Sequence, residues 1–133
     1  MLLVDTNVLI DVLEDDPDWA DWSVTQLRAQ AQVHVLAINP VIYAELSLAF
    51  ETPAALDAAL DGMQLALYEM PRPALFLAGK AFARYRREGG PRQNVLADFF
   101  IGAHAAVEGW DILTRDPKRY RNYFPTVRVV APD

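Results

Sequence analysis

Four of the 18 acidic residues in this 133-residue chain stand where a solvated charge does not belong: Asp5, Glu45, Asp98 and Asp116. Asp5 ends the apolar run Leu2-Leu3-Val4 and is followed by Thr6-Asn7 and then Val8-Leu9-Ile10. Glu45 has Val41, Ile42, Leu48 and Ala49 at i−4, i−3, i+3 and i+4, the spacing of an apolar helical stripe. Asp98 opens Asp98-Phe99-Phe100-Ile101-Gly102-Ala103, and Asp116 lies just past Ile112-Leu113-Thr114. A carboxylate against apolar surface is costly unless it is paired or binds a cation. Taken singly, each acid has a plainer reading as a helix cap or the partner of a buried arginine. Asp98 in a helical first turn is favourable on dipole grounds alone. Taken together, the four ask for one shared cause. An all-carboxylate set without thiolate or imidazole suits Mg²⁺ or Mn²⁺ and disfavours zinc and copper. Such an ion activates a bound water and neutralises charge on a phosphate. The expected chemistry is metal-dependent hydrolysis of a phosphodiester.

Positioning those acids takes strands and helices in alternation. Apolar tripeptides and branched runs predict strands at 2–4, 33–38, 64–69, 112–114 and 127–130. Helices are expected over 7–13, 18–31, 40–50, 53–62, 73–88 and 96–108. Asn39-Pro40 and Thr52-Pro53 each supply a cap followed by proline in the first turn. Gly89-Gly90-Pro91 and Gly109 supply stops. Short all-apolar strands between helices indicate a parallel sheet covered on both faces, an α/β fold with three α/β/α layers. Ligands of such sheets bind beyond the carboxyl ends of the strands. Asp5 and Asp116 fall on that edge, and Glu45 and Asp98 lie early in helices, so the four could converge. Asp111 precedes its strand and faces the opposite edge, and Asp11 lies two turns into a helix; both are left out of the site.

Composition narrows the class. The length fits one domain over 1–133 with a core of its own. No cysteine is present, which removes disulfides, thiol nucleophiles and Cys-based zinc, and suits a reducing cytoplasm. The start Met1-Leu2-Leu3-Val4-Asp5 lacks a basic n-region, and no run reaches the roughly 18 apolar residues of a membrane span. A cytoplasmic protein without a membrane role is expected. The net charge of −6 is unevenly divided. Residues 1–71 hold twelve acids and one base, net −11, whereas residues 72–133 hold six acids and eleven bases, net +5. That asymmetry fits a polyanion partner, though two ordinary solvated surfaces would also produce it.

The ordered set of motifs resembles the PIN-domain nucleases, specifically the VapC-type toxins of toxin–antitoxin pairs. The resemblance is carried by Leu2 to Ile10, Glu45 in its helix, Leu96 to Ala105, and Leu113-Thr114-Arg115-Asp116, and it spans residues 2–120. It implies Mg²⁺- or Mn²⁺-dependent endonucleolytic cleavage of RNA. Asp5 and Asp98 would be the principal metal ligands, Asp116 would complete the cluster, and Glu45 would bind a second metal or orient the attacking water. Asn7 and Thr114 match supporting polar positions, although Asn7 could equally cap the helix that follows it. The resemblance also implies a homodimer and an antitoxin partner that covers the groove.

Basic residues offer a route for the RNA. Lys80, Arg84 and Arg87 share one face of the helix over 73–88, with Arg86 and Arg92 nearby, and Arg115 begins a second group with Lys118, Arg119 and Arg121. They could track a phosphate backbone or simply be solvated. Tyr120, Tyr123 and Phe124 are read as packing rather than base-stacking residues, His104 as a core histidine, and Trp19 and Trp22 as either packing or contact residues. Two other functions compete. A phosphatase of the haloacid-dehalogenase type needs an Asp where Asn7 stands. A PIN-like module that binds RNA or protein without cutting would be expected to lack part of the acid set.

Overall fold

The computed structural model describes residues 1–91 and 95–133. Five short strands, β1 (Leu2–Val4), β2 (Leu36–Ile38), β3 (Leu65–Leu67), β4 (Asp111–Leu113) and β5 (Val129–Val130), form one sheet in the order β3-β2-β1-β4-β5. Every pairing is parallel, with Leu2 opposite both Leu36 and Asp111. Among the described residues seven helices flank it: α1 (Thr6–Leu13), α2 (Ala20–Ala31), α3 (Pro40–Leu46), α4 (Pro53–Gly62), α5 (Arg72–Arg87), α6 (Leu96–Glu108) and α7 (Lys118–Tyr123). All three residues of β1 and of β2 are buried, which requires cover on both faces and accounts for their lack of alternation. The α/β class and the parallel sheet are as the sequence predicts.

The strand order sets the site. The chain winds from β1 out to β3 on one side, then crosses to β4 and β5 on the other. The β1–β4 boundary is therefore the switch point, where a crevice opens beyond the carboxyl ends of the two strands. Asp5 follows β1 and Thr114 follows β4 at that crevice, joined by Asp5 N–H donating to Leu113 O at 2.9 Å.

Several element boundaries differ from expectation. The second strand loses residues 33–35, because His34 N–H still donates to Gln30 O as the end of α2, leaving Val33 and Val35 exposed. Helix α3 stops at Leu46 and tightens into a 3-10 turn over Ser47–Ala49, which leaves Leu48 91% exposed. The apolar stripe expected around Glu45 is therefore not there; Ile42 and Leu46 form the buried side of α3. Asp111 belongs to β4 itself, yet lies at the opposite edge as expected, its N–H donating to Met1 O. Helix α7 is an addition. Asn39 and Thr52 cap α3 and α4 as predicted, accepting from Ile42 N–H and Ala55 N–H.

The aromatic core ties the basic helix to the acid-bearing one. Phe82 and Tyr85 of α5 lie 5.5 and 5.2 Å from the Phe99 ring of α6. Gly102 lets α6 approach the C-terminal segment, since a Cβ there would sit 2.2 Å from the Phe124 ring. Gly102→Ala is expected to destabilise the fold by about 2 kcal/mol through this overpacking, read from the denaturant midpoint. Gly109 ends α6 in the left-handed conformation (φ +71°), the usual role of glycine at that position.

Candidate active site

Asp5 occupies the position before α1, but its side chain makes no capping hydrogen bond to that helix. Instead Thr114 Oγ1 and Tyr120 OH donate to its Oδ2 at 2.9 and 2.8 Å. The residue is 5% exposed. Burial, reinforced by the Asp98 charge, pushes its carboxyl up to about 7 against the hydrogen bonds from Tyr120 and Thr114. Glu45 adds a smaller push in the same direction. A carboxylate in this state gains more from a nearby cation than a solvated one does.

Asp98 sits in the first turn of α6, facing the same crevice. Its Oδ2 accepts from Arg119 Nη1 at 2.6 Å, and Tyr120 OH lies 3.5 Å from its Oδ1. Burial raises its carboxyl, Arg119 pulls it back, and Asp116 adds to the rise. Tyr120 thus bridges Asp5 and Asp98 through a hydroxyl whose own ionisation is pushed well up, first by burial and then by the Asp5 charge. The arginine-partner reading of Asp98 is realised, with Arg119 as the partner.

Thr114 organises the third acid. While donating to Asp5, its Oγ1 accepts from Asn7 Nδ2 at 3.2 Å and from Asp116 N–H at 3.1 Å. Asn7 Nδ2 also reaches Asp116 Oδ2 at 3.4 Å, and its Oδ1 accepts from Arg115 N–H. Asn7 therefore belongs to this network rather than capping α1. Glu45 stands on the far side of Asp5, its Oε1 accepting from Thr6 Oγ1 at 2.6 Å. The acids influence one another in a chain from Glu45 through Asp5 and Asp98 to Asp116, rather than meeting at a point. Among the described residues no three His, Asp or Glu side chains stand close enough to hold one ion, which corrects the expectation of full convergence. The physical reason is that each acid already has a protein partner: Thr6, Tyr120, Arg119 and Asn7. In donor type the set fits a hard divalent cation, being all oxygen and centred on an acid whose carboxyl is raised mainly by burial.

Beside Asp98 and Asp116 lies a cleft of about 540 Å³ whose walls include Lys118, Arg119, Asn122 and Tyr123. Of the basic residues expected to meet RNA, Arg84 stands behind the cleft wall, donating to Asn122 O, lying 4.6 Å from the Tyr123 ring and paired with Glu88 at 3.6 Å. Lys80 is exposed and turns to Phe76, at 5.2 Å from its ring, and Arg87 is exposed on the same helix. Arg92 lies outside the described residues. Arg115 does not face the cleft as a free cation: its Nε is 2.9 Å from Asp11 Oδ2 and its guanidinium covers Trp19. Asp11, set aside as remote, is 1% exposed and also accepts from Ser23 Oγ.

Sequence reasoning missed Arg119 and Tyr120 as site residues. Both follow Asp116 within four positions, and the alternation Arg119-Tyr120 in a short amphipathic turn is the signal that was available. His104 is buried as expected, its Nδ1 accepting from Asn39 Nδ2 at 3.2 Å and its ring 4.8 Å from Trp110. No helix of the described residues is long and apolar enough to cross a membrane.

Comparison with known proteins agrees with this architecture. VapBC2 from Rickettsia felis, solved bound to a DNA fragment from its promoter, superposes with a TM-score of 0.75 at 20% identity, covering 99% of this chain and 98% of that one. DNA-bound VapBC from Salmonella typhimurium gives 0.70 at 20%, covering 98% and 96%. FitAcB from Neisseria gonorrhoeae gives 0.65 at 19%, covering 97% and 96%. No curated protein matches the chain by sequence. The PIN domain family matches over residues 2–125, nearly the whole length, and the chain belongs to that family.

Proposed function

We propose that the chain is a divalent-metal-dependent endoribonuclease and the toxin of a toxin–antitoxin pair. The observation that carries the reading is the state of Asp5: a buried carboxyl pushed up to about 7, held by Thr114 and Tyr120 at the switch-point crevice, with Asp98 beside it. Asp5 and Asp98 would hold Mg²⁺ or Mn²⁺, Asp116 would complete the shell through water, and Glu45 would serve on the Thr6 side. When bound, the ion supplies a water of lowered pKa and neutralises charge on the phosphate.

The chain's own residues do the rest. Thr114 and Tyr120 fix the Asp5 rotamer, so its free electron pairs keep one direction. Asn7 ties Asp116 to Thr114 and so sets the spacing between the two strand ends. Lys118 and Arg119 bring positive charge to the cleft next to the acids, where a phosphate backbone would run. That local field supports RNA as substrate despite the chain's net charge of −6.

An antitoxin partner is supported by the neighbours themselves, which are VapBC and FitAB assemblies. A homodimer and a cytoplasmic setting belong to the same reading. Induced expression in a bacterial host is expected to arrest growth, and Asp98→Asn to relieve the arrest at equal protein level. Arrest by both forms alike would argue for the second reading, a PIN-like module that binds RNA or protein without cutting it.

A further inference from the structure

Asp5 and Asp98 are held by chemically different partners. Among the described residues the Asp5 carboxylate receives hydrogen bonds only from neutral hydroxyls, those of Thr114 and Tyr120, and no charged group of these need leave for a cation to approach. Asp98 is held by a cation, with Arg119 Nη1 2.6 Å from its Oδ2. A divalent ion on that carboxylate would stand beside the guanidinium, and the two positive charges would repel. The two cations therefore compete for one acid.

The surroundings allow the arginine to yield. Arg119 and Asp98 side chains are each 31% exposed, so the pair is part-buried but open to solvent on one side. The guanidinium is 5.5 Å from the Tyr85 ring, at the wall of the cleft that Asp116, Lys118 and Asn122 also line. A guanidinium released there remains where a substrate phosphate would lie, and phosphate is as good a bidentate partner as carboxylate.

Building on the metal-dependent reading of this site, we propose that Arg119 is a resident counter-ion that occupies Asp98 until a divalent cation takes it. Loading the site requires Arg119 to let go, and the displaced guanidinium then serves the substrate phosphate in the adjoining cleft. The site is thus set against idle loading by a residue of its own chain.

The test is Mn²⁺ binding to the whole protein at pH 8 without RNA, followed by the electron paramagnetic resonance signal of free Mn²⁺. Arg119→Gln is expected to bind Mn²⁺ about three- to tenfold more tightly than wild type, the range of a partly exposed charged pair. Arg119→Lys, which keeps the charge, should stay near wild type. Arg119→Met carries the same expectation as the glutamine variant should that one fail to fold. Asp98→Asn in parallel should lose the site. If Asp98→Asn loses binding but neither neutral variant tightens it, the counter-ion role is overturned while the metal site stands. Binding to Asp98→Asn as tight as wild type would overturn both.

Discussion

Asp5→Asn is expected to abolish RNA cleavage and, without metal at pH 8, to make the protein more stable than wild type. The two effects share a cause. Asp5 sits in a buried crevice with its carboxyl pushed from an ordinary 3.8 up to about 7. An acid raised on folding contributes stability that is fully present below its unfolded value, here about pH 4. That contribution is lost as pH rises through about 7, because the folded state must then give up a proton it holds well. At about 1.4 kcal/mol for each pH unit between the two values, the loss approaches roughly 4 kcal/mol by pH 8. Asparagine removes the charge while its amide oxygen can still accept from Thr114 and Tyr120. The expected gain at pH 8 is about 2–4 kcal/mol, or roughly 5–10 °C in Tm, shrinking towards pH 5. Outer-shell partners of metal ligands already matter by about 10–100-fold, so cleavage should fall by more than about 100-fold. Thermal melts of both proteins at pH 5 and 8 without metal check the first effect. A variant no more stable than wild type at pH 8 would show that Asp5 carries no such strain.

Arg115→Ala is expected to destabilise the fold by about 3 kcal/mol, far more than a surface cation would. Asp11 is 1% exposed and has two partners on Oδ2, Arg115 Nε at 2.9 Å and Ser23 Oγ at 3.0 Å. Removing the arginine leaves a buried carboxylate with one hydroxyl for company, the most damaging way to break an ion pair. It also strips the cover from Trp19, 5.6 Å from the guanidinium. Replacing both members, as Asp11→Leu with Arg115→Met, should lose less than Arg115→Ala alone, because no charge is then stranded. Urea denaturation of the three variants decides it. A loss under about 1 kcal/mol for Arg115→Ala would return this arginine to the surface and to the RNA. The consequence for the site is direct, since Arg115 N–H donates to Asn7 Oδ1 and the next residue is Asp116.

Those two residues show where sequence reading reaches its limit. Asp5 was legible because its signal is local: an apolar tripeptide, an acid, then another apolar run. The same holds for the parallel sheet, read from buried strands without alternation, and for α3 and α4, whose Asn-Pro and Thr-Pro starts carry their own geometry. Asp11 was illegible because its partner Arg115 is 104 positions away, while Glu14 and Asp15 at i+3 and i+4 make it look like part of a solvated acidic face. Arg119 and Tyr120 were hidden in the same way, their acids lying 21 to 115 positions upstream. Glu45 was singled out by a stripe that does not exist, since α3 ends one residue after it and Leu48 is exposed. The pattern i±3, i±4 holds only while the helix continues. Helix α7 was missed because Lys-Arg-Tyr-Arg-Asn-Tyr buries a single residue, Tyr120, too little for an apolar period to register.

The most direct test of the central claim is cleavage of a mixed RNA pool by purified wild type and Asp98→Asn, each with Mg²⁺, with Mn²⁺ and with chelator. The expected result is cleavage by wild type only when metal is present, and none by the folded variant under any condition. Equal cleavage by Asp98→Asn, or cleavage by wild type that persists in chelator, would contradict a metal-dependent nuclease built on these carboxylates.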